Sequence, residues 1–223
     1  MREAIADGSY ESFIKPEQVK AHEAGGEPFY PLELASLVHE ESALLADRLR
    51  HEAIAEGTNV VIDTVLSNPA KAEELGALLA RAGYAVEVID VEVPFELSAV
   101  RIADRWRESY ETAFDGDGLG GRWVPSEYAR EVFAGAHGRS RPEESAARLA
   151  QTCPAVMRYR VFRTLTPETD RVLEVDLGRI QRGGALVDHK LVETMRTARA
   201  GTERTRTNRP GPGRSPRGPG VGQ

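Results

Sequence analysis

The apolar residues change their period several times along the chain, and each change marks an element. Across residues 31–56, Leu34, Leu37, Val38, Ser42, Leu45 and Leu49 recur every three or four positions, as on one face of a helix. Gly57 then stands where a helix commonly stops. Residues 59–63 (NVVID) are a continuous β-branched run ending in an acid, which predicts a strand buried on both faces. Asn68 followed by Pro69 predicts an N-cap and a first helical residue, opening a helix over 70–82 that Gly83 ends. Residues 84–93 (YAVEVIDVEV) alternate and predict the next strand. Residues 96–110 predict a helix carrying Arg101, Arg105 and Arg107. The short run 10–14, cut off before Pro16, predicts an opening strand.

Further on, residues 115–121 (DGDGLGG) predict a loop, 125–133 and 143–153 helices, and 158–164 and 171–177 two late strands. Strands alternating with helices predict an α/β fold, a three-layer parallel sheet with helices on both faces.

Composition agrees with a globular chain. Of 223 residues, 40% are hydrophobic and 29% charged. The net charge of −6 is unevenly spread, because residues 200–223 hold five arginines and one glutamate. The preceding 199 residues form an acidic body, which argues against a nucleic-acid surface there. Residues 209–223 (RPGPGRSPRGPGVGQ) are too rich in Gly and Pro to fold, so the expected division is a domain over 1–199 and a disordered tail over 200–223. The lone Cys153 excludes an internal disulfide and is expected to be a small buried residue; cytoplasmic residence follows as the expectation. No apolar run reaches membrane-spanning length, and no membrane partner is expected.

Candidate chemistry gathers where ligands of parallel sheets bind, beyond the carboxyl ends of strands. Glu17 follows the first expected strand and Asp63 ends the second; an acid at such a place caps a helix or serves a site. Arg105 sits on a helix, and Arg122 directly follows the glycine loop, so a guanidinium there reaches phosphate or a surface carboxylate. No GxxxxGK[ST] loop is present: Lys15, Lys20, Lys71 and Lys190 are the only lysines, and none follows a glycine. The five histidines form no HExxH-like spacing, so no resident metal site is expected.

In order and spacing, FIKPEQVKAHE (13–23), LVHEESALLADRL (37–49), GTNVVIDTVLSNP (57–69), ARAGYAVEVIDVEVP (80–94), the 101–107 helix and GRWVPSEYARE (121–131) resemble the zeta toxin kinases of bacterial toxin–antitoxin systems. The resemblance implies a P-loop NTPase fold that uses ATP and Mg²⁺ to phosphorylate a sugar nucleotide, UDP-N-acetylglucosamine in the best-known cases, with an antitoxin protein as partner. By position it implies Glu17 as the base taking the substrate hydroxyl proton, and Asp47, Asp63 and Ser67 at the substrate. It implies Arg105 and Arg122 as clamps on the ATP phosphates.

Three departures stand out. Glu17 replaces the family's Asp, lengthening the base by one methylene. Val65 and Ser67 occupy positions where the family offers Thr and Arg. The family's opening strand and Walker A loop have no counterpart before residues 1–6, so the domain is expected to be incomplete at its N-terminal end and impaired in binding ATP. The alternatives are a non-catalytic remnant that keeps an antitoxin-binding surface, and a same-fold kinase for another small-molecule hydroxyl.

Overall fold

The hydrophobic core forms where a small-residue helix face meets a sheet. The computed structural model describes residues 1–207 except Asp117 and Trp123, without the side chains of Ser36 and residues 199–207. Helix α4 follows three N-terminal α-helices: α1 (Arg2–Ala6), α2 (Glu17–Ala24) and the longer α3 (His39–Ala55). It spans Pro69–Arg81, and Asn68 Oδ1 accepts from Ala70 N at 3.0 Å and Lys71 N at 3.2 Å, satisfying two free donors of the first turn. Its buried face is Ala72, Gly76 and Leu79. That face packs on α7 (Arg141–Thr152), and a Cβ on Gly76 would stand 2.5 Å from Leu149 Cδ1 and 3.3 Å from Cys153 Sγ. A side chain at 76 would force Leu149 to move, and Cys153 is the buried small residue the sequence predicts.

Four strands make the sheet, β1 (Val86–Glu92), β2 (Val156–Arg163), β3 (Val172–Gly178) and β4 (Val187–Asp188), in that spatial order. β1 pairs with β2 in parallel, while the β2–β3 and β3–β4 pairs are antiparallel. The α/β class holds, with a mixed sheet in which one pair is parallel. Helix α7 covers the face carrying Val88, Tyr159 and Val161, joined in one core with Ala146, Leu149 and Ala150. Helix α8 (His189–Thr207) lies on the other face, where a Cβ on Gly178 would meet His189 and Val192. Two more helices, α5 (Phe95–Phe114) and α6 (Ser126–Phe133), follow β1.

Arg179 fastens the end of β3 to α7. Its guanidinium is 3% exposed and donates to five carbonyl oxygens, those of Ala150, Gln151, Cys153, Val156 and Gly184, at 2.6–2.9 Å. It thereby supplies the donors and the positive charge that the carbonyl end of α7 lacks.

Three elements differ from the sequence reading. Residues 10–14 are a π-helical turn, closed by Lys15 N donating to Tyr10 O at 2.9 Å, and not a strand. The helix expected over 31–56 is a turn, a 3₁₀ segment (Ala35–Val38) and then α3. In the turn, Glu33 accepts from Tyr30 N at 2.8 Å and Glu33 N donates to Tyr30 O at 3.0 Å. The NVVID run is an extended strap with no ladder partner among the described residues; Val61 is 98% exposed. A strand buried on both faces needs a neighbour on each side, and β1 has one neighbour, β2, leaving its other edge open beside the strap. Helix α8 crosses the division expected at residue 200 and runs to Thr207, while residues 208–223 lie outside the described residues.

Candidate functional site

The two segments that carry the arginines singled out in the sequence, α5 and the glycine loop, meet through aromatic packing. Trp106 stacks on Tyr110 with ring centroids 5.4 Å apart, and Tyr30 meets Tyr110 edge-on at 5.2 Å. The glycine loop closes onto this group. Leu32 N donates to Leu119 O at 2.9 Å, and Gly120 (φ 82) packs directly against Tyr30. A Cβ on Gly121 would sit 2.5 Å from Trp106 O. Arg122 thus follows a residue that packs on the one after Arg105, and both arginine side chains are exposed.

The acids predicted for the site sit elsewhere on the same half of the chain. Glu17 lies in the first turn of α2, exposed, with Oε1 2.7 Å from Lys20 Nζ. Asp47 is exposed on α3, accepting from Arg50 Nη1 at 3.1 Å. Asp63 lies on the strap and lines a cleft of about 930 Å³ between residues 60–66 and β1. Ser67 lines a second hollow, of about 360 Å³, with Tyr128, Glu131 and Arg141. Of the predicted residues, only Asp63 and Ser67 line these two cavities.

The sequence reading missed a buried acidic group at the carboxyl end of β1. Asp90 and Glu92 point to the α7 side and are 7% and 5% exposed. Ser140 caps α7 by accepting from Glu143 N at 3.0 Å and donates to Glu92 Oε1 at 2.8 Å. Arg163 Nη2 pairs with Glu143 at 3.0 Å. Asp90 Oδ2 is buried without a hydrogen-bond partner among the described residues. Burial, and then the charge of Glu92, push the Asp90 carboxyl up to about 7; burial also raises Glu92. The signal was present in the strand's alternation: Val86 and Val88 turn inward, so the acids at 90 and 92 must as well.

A family model described as zeta toxin matches residues 22–171, well over half of the chain. The chain belongs to the zeta toxin family. Comparison with curated proteins and with solved structures gives no match. Zeta toxins are nucleotide-binding proteins of the P-loop, kinase-like type, and the mixed α/β sheet flanked by helices agrees with that class. The matched span covers Asp47, Asp63, Ser67, Arg105 and Arg122, and begins after Glu17. No described helix is long and apolar enough to cross a membrane. Among the described residues no three His, Cys, Asp or Glu side chains converge on a metal position; Mg²⁺ that arrives with a nucleotide needs only one or two carboxylates beside the phosphates.

Proposed function

We propose that the protein is an ATP-dependent small-molecule kinase of the zeta toxin type, acting on a hydroxyl of a sugar nucleotide such as UDP-N-acetylglucosamine. The family model's match over residues 22–171, a span that holds Arg105 and Arg122, carries this reading. In the reaction Glu17 accepts the substrate hydroxyl proton as that oxygen bonds to the γ-phosphorus of ATP. The bond from phosphorus to the bridging oxygen breaks, and ADP leaves with that electron pair. The two guanidiniums stabilise charge on the phosphoryl oxygens. Asp47, Asp63 and Ser67 hold the sugar nucleotide, and the partner of such a kinase is an antitoxin protein. Catalysis requires a lysine-bearing phosphate loop from outside these 223 residues, which contain no GxxxxGK[ST]. The domain is then residues 1–199 plus that segment.

The test is transfer of labelled phosphate from ATP to a panel of sugar nucleotides by protein expressed from the reading frame extended upstream of Met1. Transfer to UDP-N-acetylglucosamine is expected. Transfer to none of the panel overturns the substrate class. In that protein Glu17→Gln should lower kcat by about 100-fold or more, and an unchanged kcat removes Glu17 from the reaction.

A second reading, a non-catalytic chain with a protein-binding surface, is favoured by α3, whose Leu44, Leu45 and Leu49 are 72%, 64% and 61% exposed. It predicts no phosphate transfer from the extended protein together with binding of a partner that Leu45→Lys weakens.

A further inference from the structure

The hollow that Ser67 lines, of about 360 Å³, stands between the ends of three helices, and no residue of β1 lines it. Ser67 and the cap of α4 form one side, Tyr128 and Glu131 of α6 a second, and Arg141 of α7 a third. Three residues apart on a helix, Tyr128 and Glu131 share a face. Both helix starts are fixed. Asn68 caps α4, and Ser140 caps α7 while donating to Glu92 of β1. The walls therefore stand on rigid elements, and the volume lies at the lower end of the range for small-molecule pockets. Val132 lines both this hollow and the cleft beside Asp63, so the two spaces adjoin.

The polar groups around the hollow are unused. Arg141 and Glu131 are exposed and opposite in charge, yet neither side chain has a hydrogen bond or ion pair among the described residues. The hydroxyls of Tyr128 and Ser67 are likewise unengaged. Neighbouring arginines behave differently: Arg139 pairs with Glu143 at 3.6 Å, and Arg148 with Glu73 at 2.6 Å. Arg141 is also the first residue of α7, where the positive end of the helix disfavours a cation. Helix stability does not account for it. A guanidinium held there without a carboxylate is a forked donor for a phosphate. Glu131 repels phosphate and accepts from hydroxyls. A ligand that satisfies both carries phosphate beside a polyhydroxylated ring.

We propose that this hollow binds the phosphate-bearing part of the acceptor: Arg141 holds the diphosphate of the sugar nucleotide, and Glu131 accepts from hydroxyls of its ribose. The inference rests on the sugar-nucleotide reading and adds to it two specificity-determining residues that no motif marks.

The test is NMR titration of the 223-residue protein with UDP-N-acetylglucosamine and, separately, with uridine, which has the ribose without the diphosphate. Both should shift amides of residues 67–70, 128–132 and 141–144, uridine at least tenfold more weakly. Arg141→Ala should weaken UDP-N-acetylglucosamine by about tenfold or more and leave uridine unchanged, with Arg141→Lys recovering part of the loss. Glu131→Ala should weaken both ligands. Neither substitution should lower the urea midpoint, because neither side chain has a partner to lose. Absence of shifts at the hollow overturns the proposal, as does an Arg141→Ala protein with unchanged affinity for UDP-N-acetylglucosamine. In the extended protein, Arg141→Ala should raise KM for the sugar nucleotide and leave KM for ATP as it was. Binding at the hollow without phosphate transfer by the extended protein would fail the kinase reading and leave the hollow standing.

Discussion

Arg179 and Asp90 show how differently buried charges are handled in this molecule. The Arg179 guanidinium is surrounded by carbonyl oxygens that use all three of its nitrogens. Removing it leaves the end of α7 and the chain after β3 without donors. Arg179→Met should therefore destabilise the fold by roughly 3 kcal/mol or more, read as a lower urea midpoint at unchanged slope. Asp90 has the opposite problem, an acid in a place that disfavours its charge. Its carboxyl titrates at about 7 in the fold, against 3.8 when solvated. The folded state therefore favours the protonated form. Stability is highest below pH 4 as far as this group is concerned, and falls as pH rises through about 7. Asp90→Asn should flatten that fall and raise stability at pH 8 by on the order of 3 kcal/mol. A pH series of melting curves checks it, and identical profiles for the two proteins would refute the assignment.

Local sequence signals located those elements whose ends have their own chemistry. Asn68–Pro69 placed the start of α4, and the alternation of residues 84–93 placed β1 to within two residues. The strap illustrates what local pattern does not contain. NVVID has a strand's composition, but a ladder needs a partner, and partnership is decided elsewhere in the chain. The turn at Tyr30–Glu33 and the π-turn at Tyr10 carry local hydrogen bonds that periodicity does not register. The site was legible in the same measure. Arg105 and Arg122 were visible as a helix arginine and a post-glycine arginine, while the meeting of their two segments depends on Trp106, Tyr110 and Tyr30, whose packing no motif announced. Gly121→Ala tests that packing. Its Cβ would collide with the Trp106 backbone, so the loop must shift; a cost of about 1–3 kcal/mol is expected, measured by denaturant unfolding. No loss of stability would mean that the loop does not press on α5.

At the scale of the whole molecule, a family model over residues 22–171 fixes the lineage, and the structure supplies a sheet with one unused edge. The sequence holds no GxxxxGK[ST] loop, and β1 has one neighbour among the described strands. On the proposed reading, affinity for ATP in these 223 residues rests on the guanidiniums of Arg105 and Arg122. Charge-assisted hydrogen bonds contribute about 1.5–3 kcal/mol each, so a pair gives a dissociation constant on the order of 1 mM.

Equilibrium titration of the 223-residue protein with ATP, followed by NMR shifts of the arginine side chains, measures this site directly. The predicted result is binding near the millimolar range that Arg122→Ala and Arg105→Ala each weaken and the double variant abolishes. Micromolar binding, or binding indifferent to both substitutions, would contradict the assignment of the phosphate site to Arg105 and Arg122.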